Sequence, residues 1–245
     1  MTARCVPFII AAAALAAATG LPLAAVAQTR HDETVSQQSE PAYQPPLRGA
    51  PGRRVGGASR GTFKVAAPLP TIELLAPSDH AGLSANPAPS FYYFASGPVV
   101  WPTRFTISAP GRPAPVLEVA IRAPVAAGIY RLDLADYRLR LFPGIVYTWS
   151  VSAILDPRIP ARDIVASASL VLSPPDPTVA AALAVVSPTR RAALCARAGL
   201  WYDAVAAAVA AGPEDRHAGL DALLREVGLA EPAAYDRQAA AFSGR

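Results

Sequence analysis

The residues able to do chemistry are few and scattered. His31 sits in a polar tail, His80 in the loop "PSDHAG", and His217 in a late helical stretch. No HExxH and no paired-histidine spacing links them, so the pattern of a helix-borne zinc site is missing. There is no GxSxG elbow to present a serine nucleophile. Calcium needs several carboxylates in one loop, and no stretch of this sequence supplies them. Asp156 and Asp163 bracket "PRIPAR", which reads as a turn and a strand start. These residues suggest no catalytic set, no cofactor and no metal ligand, and the expectation is a protein that is not an enzyme. A serine, histidine and aspartate brought together only in space would make a cryptic hydrolase, and that stands as an alternative.

One stretch does concentrate charge. "YQPPLRGAPGRRVGGASRG", from Tyr43 to Gly61, carries a guanidinium every few residues among prolines and glycines. It fails as a phosphate loop, because Ala58-Ser59 stands where Lys-Ser/Thr is required. It fails as a dinucleotide turn, because the spacing around Gly56-Gly57 is wrong and no strand precedes it. What remains is electrostatics: Arg48, Arg53, Arg54, Arg60 and Lys64 fall between Glu40 and Glu73 with no acid among them. Amides around Gly56-Gly57 could form an anion-accepting nest, and the arginine fork suits phosphate or carboxylate. Arg53, Arg54 and Arg60 are therefore the candidate binding residues. A solvated tether with a compositional arginine bias is the alternative reading of the same residues.

The rest of the sequence says what must position this stretch. The chain has 245 residues and a net charge of +4, and Lys64 is its only lysine. Its 26 prolines are about twice the usual ~5% share, which favours short strands and turns. At the start, Arg4, the apolar run "VPFIIAAAALAAAT" and "AVA" at Ala25 to Ala27 fit a signal peptide over 1–27, cleaved after Ala27. The expected location is periplasmic or secreted, with no membrane span after cleavage, although an uncleaved anchor is the rival. Cys5 would leave with the signal. Cys195 alone remains, which excludes an internal disulfide framework. Residues 28–70 read as a Pro/Gly/Arg-rich linker or arm, too polar to offset the ordering entropy.

From Thr71 the texture changes. "TIELLAP", "SFYYFA", "PTRFTIS", "VLEVAIR", "GIYRLDLA", "YRLRL", "VYTWSVSAIL" and "DIVASASLVL" are short runs bounded by Gly, Pro, Asn or Asp. Such runs at regular spacing predict an antiparallel β-sandwich of Ig/fibronectin-III-like type over 71–173. In "YTWSVSA", Tyr147, Trp149, Val151 and Ala153 share one face, and this is the core face. "LFPGIVY" has the spacing of a tyrosine corner, which gives Tyr147 a structural task, with Trp149 buried between the sheets.

Residues 174–245 read as a small α-helical module. Ser187-Pro188 supplies an N-cap and N1 pair before one helix, "TRRAALCARAGLWYDAVAAAVAAG", stopped at Gly212-Pro213. A second helix carries Leu220, Leu223, Leu224 and Val227 and ends at Gly228, and Pro232 to Phe242 can form another. "AGLWYDAV" is similar to the first helix of a tetratricopeptide unit, but no 34-residue period recurs. A helical hairpin packed on the sandwich is the expected arrangement, with a lone docking unit for a partner as the alternative and with Trp201 mattering less to the sandwich than Trp149.

Four segments together, "YQPPLRGAPGRRVGGASRG", "LLAPSDHAGLSANPAPSFYYFAS", "GIYRLDLADYRLRLFPGIVYTWSVSAILDP" and "RDIVASASL", resemble the bacterial domain of unknown function 928. The resemblance runs from about Tyr43 to Trp201 and includes the arginine stretch. "GGASRG" departs from the family's Gly-Gly-Gly-x-Arg-Gly by Ala58. The resemblance implies an exported β-rich protein and assigns no catalytic residue. The functional expectation is a non-catalytic binding or adaptor protein of the cell envelope, its partner another envelope protein. The alternative is binding of an anionic envelope polymer through the arm. No nucleic-acid partner is expected.

Overall fold

Two sequence runs that alternate between an inner and an outer face along most of their length, "VYTWSVSA" and "IVASASLVL", lie side by side in one sheet. A computed structural model describes residues 42–46, 55–56, 69–211 and 213–243. Its strands are β1 (Val55–Gly56), β2 (Ile72–Leu74), β3 (Gly82–Ser84), β4 (Ser90–Ala95), β5 (Thr103–Ser108), β6 (Leu117–Ile121), β7 (Gly128–Asp133), β8 (Val146–Ala153) and β9 (Ile164–Leu172). Five helices follow: α1 (Pro177–Val185), α2 (Pro188–Arg197), α3 (Trp201–Ala210), α4 (Pro213–Glu226) and α5 (Ala230–Ser243). The protein is thus β-rich with two sheets and a C-terminal helical part. One sheet has the order β1-β2-β4-β7 and the other β3-β9-β8-β5-β6.

Side-chain size explains the register of the second sheet. Trp149 lies opposite Ala168 on β9 and Ile107 on β5, and Val151 lies opposite Ala166 and Phe105. Small residues on β9 leave room for the indole, which is the cross-strand complementarity that sheets use. The two sheets meet at their aromatic rings. Phe91 of β4 lies 4.6 Å from Trp149 and 5.6 Å from Phe105, centroid to centroid. Trp149, Val151 and Ala153 are all fully buried.

Three features depart from the sequence reading. First, the sheets are not wholly antiparallel, because β3 runs parallel to β9 at an edge. Second, "YRLRL" is not a strand. Leu134–Tyr137 closes into a 3-10 turn and Arg138 takes φ 54°, so the chain turns off the sheet before Leu141 re-enters the core. Third, the long helix expected after Ser187 is two helices. Gly199, at φ +72°, ends α2 with the Gly199 N–H on Ala196 O and the Leu200 N–H on Cys195 O. A left-handed glycine of this kind stops a helix without a Cβ penalty. Ser187 does occupy the N-cap position with Pro188 at N1, but its side chain makes no capping bond.

The helices share the β core. Sheets and helices belong to one compact unit. Every residue of β4 is buried, because Phe91 faces the second sheet while Phe94 packs on Tyr235 of α5, 5.4 Å between ring centroids. Trp201, expected to matter little to the sheets, is fully buried and donates its Nε1–H to Leu75 O at 2.9 Å.

Tyr147 forms the corner by accepting the Phe142 N–H at 3.2 Å, and Gly144 at φ +77° completes the turn. Tyr147→Phe is expected to lower stability by about 1 kcal/mol, the net worth of one hydrogen bond. Chemical denaturation checks it: an unchanged midpoint would remove the corner from the list of stabilising contacts.

Candidate functional site

The chain is anchored on both sides of Arg48, Arg53 and Arg54. Arg53, Arg54 and Arg60 themselves lie outside the described residues, as do the signal-peptide segment and His31. The flanks of Arg53 and Arg54 are described. On the N-terminal side, residues 42–46 lie on the helices. The Gln44 N–H donates to Ala196 O at 3.0 Å, and the Tyr43 N–H donates to Glu226 Oε2 at 2.5 Å. On the C-terminal side, Val55 and Gly56 pair with Glu73 and Ile72 as the edge strand β1. Between these anchors lie Arg48, Arg53 and Arg54.

Gly199 does two jobs at this seat. Its φ of +72° makes the α2–α3 turn, and a Cβ there would stand 2.9 Å from Gln44 O. A side chain at 199 would thus push the arm off the helices. That double use accounts for a glycine inside what reads, by pattern alone, as a continuous helix.

The ring of Tyr43 is the centre of the anchor. Its hydroxyl lies 2.6 Å from His80 Nε2, and His80 Nδ1 lies 2.8 Å from Asp79 Oδ1. Tyr43 stacks on the His80 ring and meets Trp201 edge-on, with centroids 5.6 and 4.9 Å apart. A carboxylate, an imidazole and a hydroxyl in line have the connectivity of a nucleophile relay. The hydroxyl here is a phenol whose pKa burial pushes upward, with the Asp79 carboxylate adding to the rise. Tyr43 therefore keeps its proton, and the line of groups acts as a clasp. Tyr43→Phe should remove the His80 contact, cost about 1 kcal/mol, and expose the 43–61 stretch to protease at lower concentration. Unchanged cleavage would mean that the clasp does not hold the arm.

The other reactive groups are engaged in holding helices to sheets. Trp149 Nε1–H donates to Tyr202 Oη at 2.7 Å, and that hydroxyl donates on to Ser169 O at 3.1 Å. Burial raises the Tyr202 pKa as well. Asp203, in the first turn of α3, accepts the Ala85 N–H at 2.8 Å. Burial raises its carboxyl pKa, partly offset by bonds from Ala85, Ser84 and Asn86. His217 on α4 meets Asp236 on α5 at 2.8 Å, and Asp221 pairs with Arg225 and Arg237. The Cys195 thiol is buried and its pKa is pushed up to about 12, chiefly by desolvation, so it stays a thiol rather than a reactive thiolate. Among the described residues, no group of three or more His, Cys, Asp or Glu could hold a metal ion. Nor is any helix among them long and apolar enough to cross a membrane.

Sequence reasoning separated Tyr43 from His80 and treated each alone. No local pattern pairs the two. Asp203 gave no signal because the helical pattern puts it mid-helix rather than at a helix start.

A family model described as Domain of Unknown Function (DUF928) matches residues 55–236. No curated protein and no solved structure matches the chain.

Proposed function

The chain belongs to the DUF928 family, and on that premise we propose that it is an exported, non-catalytic binding protein that presents the 43–61 stretch to a partner in the cell envelope. The observation that carries this reading is the double anchorage of the arm: Tyr43 clasped by His80 and Glu226, and Val55–Gly56 paired to β2. A tether needs no such anchors, since its only task is to span a distance. The part of the arm between Tyr43 and Val55, fixed at both ends, loses less freedom on binding than a free segment, which favours affinity. Export rests on the residues at 1–27: a positive start, a short apolar run and small residues at the cleavage position.

The scaffold is an Ig/fibronectin-III-like sandwich. In support, β2-β4-β7 face β9-β8-β5-β6 in the three-plus-four order of that fold, and Tyr147 stands at the start of β8 where the corner tyrosine belongs. The parallel β3 along β9 is an added edge.

Capture from the native envelope fraction tests the adaptor reading. A stoichiometric protein partner is expected, and turnover of any ester, glycoside or peptide in a broad hydrolase panel would overturn the non-catalytic part. The second reading, an anionic polymer on the arm, is favoured by the absence of any acid between Glu40 and Glu73. It predicts retention on heparin or lipopolysaccharide that falls steeply with salt, as exposed charge pairs do. Retention insensitive to salt would count against it.

A further inference from the structure

The end of the molecule where β4, β6 and β8 finish carries three loops, at 96–102, 122–127 and 154–163. They form one platform. The Val99 N–H donates to Pro124 O at 2.8 Å, and the Ile154 N–H donates to Pro102 O at 2.9 Å. Tyr235 of α5 fixes the middle loop by donating its hydroxyl to Ala127 O at 2.8 Å. Each loop holds an apolar side chain out in water: Val100 is 79% exposed, Val125 80% and Ile159 38%. A single exposed valine needs no explanation. Here three loops at the same end of their strands, two of them each joined to the 96–102 loop by a backbone bond, all do this.

Charge around the tips is sorted. Loop 96–102 has no charged residue, and the acids of loop 154–163 are turned to its own backbone. Asp163 accepts the Leu155 N–H and Asp156 the Arg158 N–H, at 3.1 and 2.9 Å. The Arg158 side chain, held at Nε by Asp156, is still 89% exposed, and Arg122, in the same loop as Val125, is exposed too. Trp101, partly buried next to Val100, has the place and amphipathic character of an interfacial indole.

We propose that this pole, with Val100, Val125 and Ile159 at the tips and Arg122 and Arg158 at the rim, docks on an anionic phospholipid surface. Apolar tips reach into the headgroup boundary while guanidinium groups meet lipid phosphate, so attachment is shallow, reversible and salt-sensitive. A protein partner would need a separate pocket for each of three projecting tips, whereas a bilayer accepts them without one.

Tryptophan emission tests this in the full chain. Trp149 and Trp201 are fully buried, and the sequence has three tryptophans, so any response to lipid comes from Trp101. Vesicles of phosphatidylglycerol and phosphatidylethanolamine are expected to shift emission to the blue. Phosphatidylcholine vesicles and molar salt should reduce the shift severalfold. The Val100→Asp/Val125→Asp double variant should abolish it with an unchanged thermal melt, and Arg122→Ser/Arg158→Ser should weaken it. Association driven only by the apolar N-terminal run would leave Trp101 unshifted, and that result would overturn the proposal. So would a shift that survives the double aspartate variant or Trp101→Phe, or one produced by an envelope protein and not by lipid.

Discussion

Trp149→Ala is expected to unfold the protein or bring it close to unfolding. The indole is fully buried against Phe91, Phe105 and Tyr202. Truncating such a side chain costs roughly 3–5 kcal/mol through lost transfer energy and the cavity left behind. It also removes the Nε1–H bond to Tyr202, on the order of 1 kcal/mol. A small domain has only about 5–15 kcal/mol in total. Trp149→Phe should be milder, since Tyr202 keeps its bond to Ser169 O. Denaturant midpoints check both variants. A loss under about 1 kcal/mol for the alanine variant would mean that the sheets close around the gap, contrary to the rigid packing described.

Trp201→Ala should cost a comparable roughly 3–5 kcal/mol. That expectation comes from the structure alone. Trp201 belongs to α3, yet it lies in the same core as β2 and β4, bonds Leu75 O, and supports the ring of Tyr43. The loss should appear as one earlier transition, with helix and tryptophan signals melting together. Two separate transitions would show that the helices are a detachable domain.

The difference between the two tryptophans illustrates what the sequence could say. In "YTWSVSA", period-two alternation marks Trp149 as inward directly, because strand geometry leaves only two faces. Seven of the eight expected runs are strands, and "SFYYFA" matches β4 residue for residue. Its lack of polar alternation also carried the news that both faces are covered. "YRLRL" misled because it does alternate in exposure, yet after the left-handed Arg138 its residues join no strand, and alternation alone does not prove sheet pairing. Trp201 was undervalued because helical spacing shows that a residue faces a neighbour, not which neighbour. The parallel β3 was too short, at three residues, to announce itself. The clasp of Tyr43 to His80 joins positions 37 apart in sequence through a contact that no local pattern encodes.

The arginines of the arm are the central functional claim, and a paired capture experiment tests it most directly. The wild-type protein and the Arg53→Ser/Arg54→Ser/Arg60→Ser variant would be exposed to the same envelope fraction, with thermal melts recorded beside them. The variant is expected to lose the partner while its melt is almost unchanged, because the seat at Tyr43 and the pairing of Val55–Gly56 are left in place. A variant that keeps the partner, with or without a lowered melt, would contradict it.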